Sequence, residues 1–140
     1  GGLAAGMALW AHYINPQIQV IGVQSEASPA MHAALAAGHH VIVPIAPSLA
    51  DGLAGNIAAT SITVPLCQEH LARVALVTEE AIAEAMQYLA AEHHVIAEGS
   101  GAVGVAALRS GAVVPPPGSH LGIILSGRNV TLDLLRTVLC

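Results

Sequence analysis

The residues of this chain that could do chemistry gather in four short, glycine-rich stretches. Gly1-Gly2-Leu3 leads straight into a helix-forming segment. Small residues there let backbone N–H groups converge on an anion, and the helix dipole adds to the attraction. A flexible terminal glycine pair is the plainer alternative. Leu125-Ser126-Gly127-Arg128-Asn129 follows an apolar stretch with the composition of a strand, and ligands of open α/β sheets bind in the crevice beyond such strand ends. A hydroxyl there can bond a ring nitrogen or a phosphate, although an ordinary strand-to-helix turn has the same look. Glu98-Gly99-Ser100-Gly101-Ala102 is a second glycine-rich helix entry, with Glu98 placed where the helix dipole alone would favour an acid. Ala50-Asp51-Gly52 puts an acid in a loop that has little other reason for one. One absence limits all of these. The four basic residues are Arg73, Arg109, Arg128 and Arg136, so the chain has no lysine.

Elements that could position these stretches follow from periodicity and punctuation. Leu3 to Ile14 reads as a helix ended by Asn15-Pro16, and Ile18 to Val23 as a short buried parallel strand. Pro29 to Ala37 reads as a helix closed by Gly38, and Val41 to Val43 as a short strand cut off by Pro44. The segment from Ala46 to Asn56, broken by Pro47, Gly52 and Gly55, reads as a functional loop. A helix around Ser61 to Leu71 is disturbed by Pro65, and the strand Arg73 to Val77 follows. Thr78 is a good N-cap, with Glu79 and Glu80 in the first turn of a helix reaching about Glu92. Another helix runs from about Ser100 to Arg109. Beyond the Pro115 to Gly118 connection, Leu121 to Leu125 reads as a buried strand, and Thr131 caps a last helix. Strands alternating with helices predict an α/β fold with a doubly wound, mainly parallel sheet flanked by helices.

The bulk numbers agree and exclude several classes. At 140 residues the chain has the size of one ordinary domain, with no internal repeat or boundary. Charged residues make up 9%, far below the roughly 25% typical of soluble domains, so either the fold is mostly interior or its surface meets another domain. A net charge of −5 with four scattered arginines offers no basic stripe for nucleic acid. No apolar run approaches the roughly 20 residues that span a bilayer. Cys67 and Cys140 lie far apart without metal-ligand spacing, which fits a reduced, cytoplasmic setting. The chain opens on Gly1 without an initiator Met and reads as something cut from a longer protein.

Six stretches match one family in order and spacing: GGLAAG, VIGVQSE with PAM, LADGLA, VTEEAIAEAM, EGSGAVGVAAL and LSGRN. The chain resembles the threonine/serine dehydratases of fold type II, the tryptophan-synthase-β-like pyridoxal-phosphate enzymes, from Gly1 to Leu132. The resemblance implies that residues 1–140 form a single domain, the C-terminal portion of a large domain that binds pyridoxal phosphate. Gly1 and Gly2 look like the last two glycines of the loop that cradles the cofactor phosphate, with Leu3 the residue after it. Ser126, followed by Gly127, takes the position whose hydroxyl bonds the pyridine nitrogen. Glu98 lies where the family keeps an acid near the cofactor ring, and Asp51 and Gly52 match the loop on the substrate side. Arg128 departs from the commoner glycine and is expected to lie in solvent.

The lysine that holds the cofactor and removes the Cα proton comes from the family's N-terminal region, which this chain lacks. No catalytic residue is therefore expected in it. Some members bind a divalent cation at positions that here read Gln24, Ser28 and Ala30; hard cations want charged oxygens, so the metal site is expected to be lost. The histidine pairs His39-His40 and His93-His94 fit no helical ligand spacing and read as solvated or edge residues, while His12, His32, His70 and His120 read as structural. Cys67 reads as a small hydrophobe.

Two functions remain open on the sequence. One is a fragment of a dehydratase that catalyses β-elimination to a 2-oxo acid and ammonia, inactive alone and binding no cofactor by itself. Its partner would be the missing N-terminal region, and its substrate a small amino acid. The other is a non-catalytic remnant that associates with a copy of itself and at most binds a small phosphate ligand.

Overall fold

Residues 1–139 are described by a computed structural model; Cys140 lies outside the described residues. Along the chain run helix α1 (Gly2–Ile14), strand β1 (Ile21–Ser25), helix α2 (Ala30–Ala37), a 3-10 turn (Asp51–Leu53), helix α3 (Thr63–His70), strand β2 (Arg73–Val77), and helices α4 (Glu79–His93), α5 (Gly99–Arg109) and α6 (Leu132–Leu139). The two strands pair in parallel, Ile21 opposite Arg73 and Ser25 opposite Val77.

Strand alternation divides the interior in two. Ala75 and Val77, with Ile21 and Val23 beside them, face a core built from α4, α5 and α6 around Ile82, Met86, Leu89 and Ala106. Val74 points the other way, into a core of Ala5, Ala8, Met31, Val64 and Cys67 from α1, α2 and α3. Helices thus cover both faces of a parallel sheet, as the α/β reading expected. On the second face Gly22 makes room for its neighbours, since a methyl there would lie 3.2 Å from Val74.

Local chemistry sets most element ends. The Thr78 hydroxyl accepts from the N–H of Ala81 at 3.2 Å and starts α4. Gly38 closes α2 with φ +75°, a left-handed turn that only glycine enters without cost. Pro65 sits in the first turn of α3, where its missing N–H would have no helical partner, so the helix runs on through His70.

Two expected strands are absent among the described residues. Val41–Val43 forms no ladder, because the Asn56 side chain takes both backbone groups of Val43: Oδ1 accepts from its N–H and Nδ2 donates to its C=O, each at 2.9 Å. Leu121–Leu125 is neither a strand nor buried; Leu121, Ile123, Ile124 and Leu125 are all exposed. Among the described residues the sheet consists of β1 and β2, and neither pairs with this segment. The first strand also sits later than expected, ending at Ser25 rather than Val23. No helix among the described residues is long and apolar enough to cross a membrane.

Candidate functional site

Glu98 occupies the N-cap position of α5, yet its side chain makes no bond to its own helix. Its Oε2 accepts instead from the N–H of Asn129 at 2.8 Å, while its backbone N–H donates to the Gly127 carbonyl at 3.3 Å. Gly127 turns with φ +80°, and a Cβ there would collide with the Glu98 carboxylate. At Gly101 the helix lies so close to the Ser126 carbonyl that no side chain fits between them. Glu98 and the glycines of α5 therefore seat the Ser126–Asn129 turn. Ser126 is half-buried within it, and Arg128 is exposed.

The same helix entry receives the loop that carries Asp51 and Gly52. Gly99 meets the Leu49 backbone with no room for a Cβ. A methyl on Gly52 would lie 2.9 Å from Ser100 Oγ and 3.7 Å from Glu98 Oε1. Ser100 Oγ is the one buried side-chain polar atom without a hydrogen-bond partner among the described residues. A buried hydroxyl left unpaired costs free energy that a ligand or water can recover. Gly52, Glu98, Ser100 and the Ser126–Gly127 turn thus form one contiguous patch.

Gly1 lies across a cleft from that loop. It is the N-cap of α1, its carbonyl accepts from Ala5, and a methyl on it would press on Met31 Cε at 2.5 Å. Gly1, Gly52, Gly55, Thr63 and Cys67 all line an open cleft of about 380 Å³. Gly2 and Leu3 are exposed in the first turn of α1. Burial pushes the Cys67 thiol up, so it stays protonated at neutral pH. That matches a small hydrophobe in the α1–α3 core.

Gln24 and Ser28, at two of the three positions where the resemblance leads to a lost metal site, spend their side-chain oxygens inside the fold. Gln24 Oε1 accepts from the N–H of His32 at 2.9 Å, and Ser28 Oγ accepts from the N–H of Gly55 at 2.9 Å. Ala30 is buried at the start of α2. Among the described residues no three His, Cys, Asp or Glu side chains gather as a metal-binding group. Several histidines meet backbone carbonyls instead: His12 that of Ile18, His32 that of Val74, His40 that of Ile57. His94 ends α4 with φ 55°.

Sequence reasoning missed Glu79, giving it only the helix dipole. Its Oε1 accepts from Ser25 Oγ at 2.5 Å and Ser48 Oγ at 2.7 Å, and its Oε2 from the N–H of Leu49 at 2.5 Å. Burial pushes this carboxyl up, but the bonds from Ser25, Leu49 and Ser48 together hold it below the ordinary glutamate value. Its partners lie 54, 31 and 30 residues away along the chain. The only local signal was an acid beside an N-cap.

Comparison with known proteins gives this geometry a setting. The profile described as "Pyridoxal-phosphate dependent enzyme" matches residues 1–127. The biosynthetic L-threonine dehydratase of Escherichia coli is 40% identical over 139 residues, covering 99% of this chain and 27% of that enzyme. The L-threonine ammonia-lyase of Thermotoga maritima is 36% identical, covering 99% of this chain and 34% of that protein. Among solved structures, maize serine racemase superposes with a TM-score of 0.86 at 32% identity, covering 98% of this chain and 42% of that one. The chain therefore spans well under half the length of each.

Proposed function

The chain belongs to the pyridoxal-phosphate dependent enzyme family, and from that premise we propose that it is the C-terminal part of the large domain of a threonine/serine dehydratase. The complete lyase would turn a small β-hydroxy amino acid into a 2-oxo acid and ammonia. One observation carries the reading: Gly52, Glu98, Ser100 and the Ser126–Gly127 turn meet in one patch beside an unpartnered buried hydroxyl, with a glycine at each close approach. That patch fits the non-covalent side of a cofactor site. Pyridoxal phosphate, when bound, supplies the electron sink for loss of the Cα proton and the β-hydroxyl.

The chain's own residues divide the remaining work. The Ser126 hydroxyl would hold the ring nitrogen, and being neutral it does not keep that nitrogen protonated, which suits elimination, where the departing β-hydroxyl carries the electron pair away. Backbone N–H groups of Gly1, Gly2 and Leu3, at the positive end of α1, would hold the phosphate. Glu98 keeps the Ser126 turn in place through Asn129. Asp51 and Gly52 would border the substrate. The amine that attaches the cofactor and moves the Cα proton must come from another stretch of protein, because no lysine is present here. In this reading the N-terminal part of the enzyme is the partner, the setting is cytoplasmic, and the chain alone holds no cofactor and is inactive.

A second reading, a non-catalytic chain that pairs with its own copy, draws on Leu121–Leu125, an exposed apolar segment outside the sheet. Co-expression with the N-terminal part of the Thermotoga maritima relative separates the two. The dehydratase reading expects a heteromeric complex that turns yellow with pyridoxal phosphate and releases ammonia from L-threonine. A colourless complex without ammonia release, or a homodimer that refuses the partner, contradicts it.

A further inference from the structure

The carboxylate of Glu79 stands at the carboxyl ends of both strands and reaches across to the loop of residues 46–56. Each serine that donates to it also accepts. Ala27 N–H donates to Ser25 Oγ and Ala50 N–H to Ser48 Oγ, both at 3.0 Å. Ser25 is 1% exposed, so this acceptor cannot be exchanged freely for water. Farther along, the buried Ser28 holds the other end of the loop through Gly55. Between these two fastenings lie only Asp51, Gly52, Leu53 and Ala54. Leu49, fixed by Glu79 Oε2, is also the residue whose carbonyl rests on Gly99 at the entry of α5. A shift of Leu49 therefore moves Gly52 relative to Ser100 and Glu98.

We propose that Glu79 is the positioning residue of this loop: its carboxylate fixes Leu49 directly and Ala50 through Ser48, and so holds Asp51 and Gly52 over the N-terminus of α5. The inference deepens the dehydratase reading and rests on it for one point, that the loop borders the substrate. A carboxylate suits three donors because it offers only acceptor sites, and its charge strengthens each bond. The helix dipole explains an acid in this turn but not one aimed away from its own helix. Glutamine can still present an oxygen to Leu49 while its amide turns toward the two hydroxyls, which can accept. Alanine can do neither.

Residue-resolved amide hydrogen exchange on the 140-residue chain tests this without catalysis. In Glu79→Ala the Leu49 and Ala50 amides should exchange faster by roughly tenfold or more, the order expected for one lost charge-assisted hydrogen bond. The α5 amides of Ala106 and Ala107 should keep their native rates, and Glu79→Gln should recover most of the loop protection. Equal acceleration in α5 and the loop would make Glu79 merely structural and overturn the proposal, as would unchanged Leu49 and Ala50. In the co-expressed complex, Glu79→Ala should raise the KM for L-threonine more than it lowers kcat; the reverse split overturns the role at the substrate. The exchange result stands whether or not the complex is active, so failure of the dehydratase reading and failure of this inference are told apart.

Discussion

Gly127 places its φ of +80° directly against the Glu98 carboxylate, and this pair makes the sharpest prediction at the scale of single residues. Gly127→Ala adds left-handed strain and a collision together, and should cost about 1–3 kcal/mol in urea denaturation. The Asn129 amide should lose exchange protection in the same variant, because its acceptor is displaced. Glu79 gives the pH dependence. Its folded carboxyl sits below its unfolded value, so the stability it contributes is full above the unfolded value and is lost as pH falls through the folded one. The native chain's margin over Glu79→Gln should stay constant from neutral pH down to the ordinary glutamate range, then shrink. A margin that shrank as pH rose would contradict the assignment. Neither Glu79 nor the unpartnered Ser100 hydroxyl was legible in the sequence, because what singles them out is contact across 30 residues or more for Glu79, and closure by the Gly52 loop for Ser100.

Elements were legible where their signals are local. β2 runs over Arg73–Val77, the bounds read from the sequence, with the Thr78 cap immediately after it. Thr78→Ala should lower stability by about 1 kcal/mol, the usual worth of such a cap. At the other end of α4, His94 holds φ 55° without being glycine; His94→Gly should raise stability by roughly 1 kcal/mol through relief of that strain. Both are read by thermal or urea unfolding, and an unstabilised His94→Gly would mean that the histidine ring contributes packing of its own. Strands were illegible where they depend on a neighbour. Leu121–Leu125 has the residues of a buried strand, but a strand exists only as part of a pair, and among the described residues neither β1 nor β2 pairs with this segment although each has one open edge. At Val43 the competitor is a single side chain, Asn56, which satisfies the backbone that a neighbouring strand would have used.

For the molecule as a whole, low charge and high apolar content now have a location. Leu3, Trp10, Tyr13 and Ile14 stand exposed along α1, as do Leu121 to Leu125 beyond α5. In the proposed enzyme these exposed apolar patches are where the N-terminal part would dock. The doubly wound plan was legible because strand-like and helix-like segments alternate along the chain, and in the fold β2 turns its two faces to two sets of helices. The family resemblance, carried by six short motifs, agrees with the profile match over residues 1–127. In the proposed division of labour this chain would contribute contacts to the cofactor and another stretch of protein the amine. Borohydride reduction of the co-expressed complex in the presence of pyridoxal phosphate, followed by intact mass measurement of each chain, tests it most directly. A covalent cofactor adduct is expected on the N-terminal partner, with an unchanged mass for the 140-residue chain; an adduct on this chain, with none on the partner, would overturn that division.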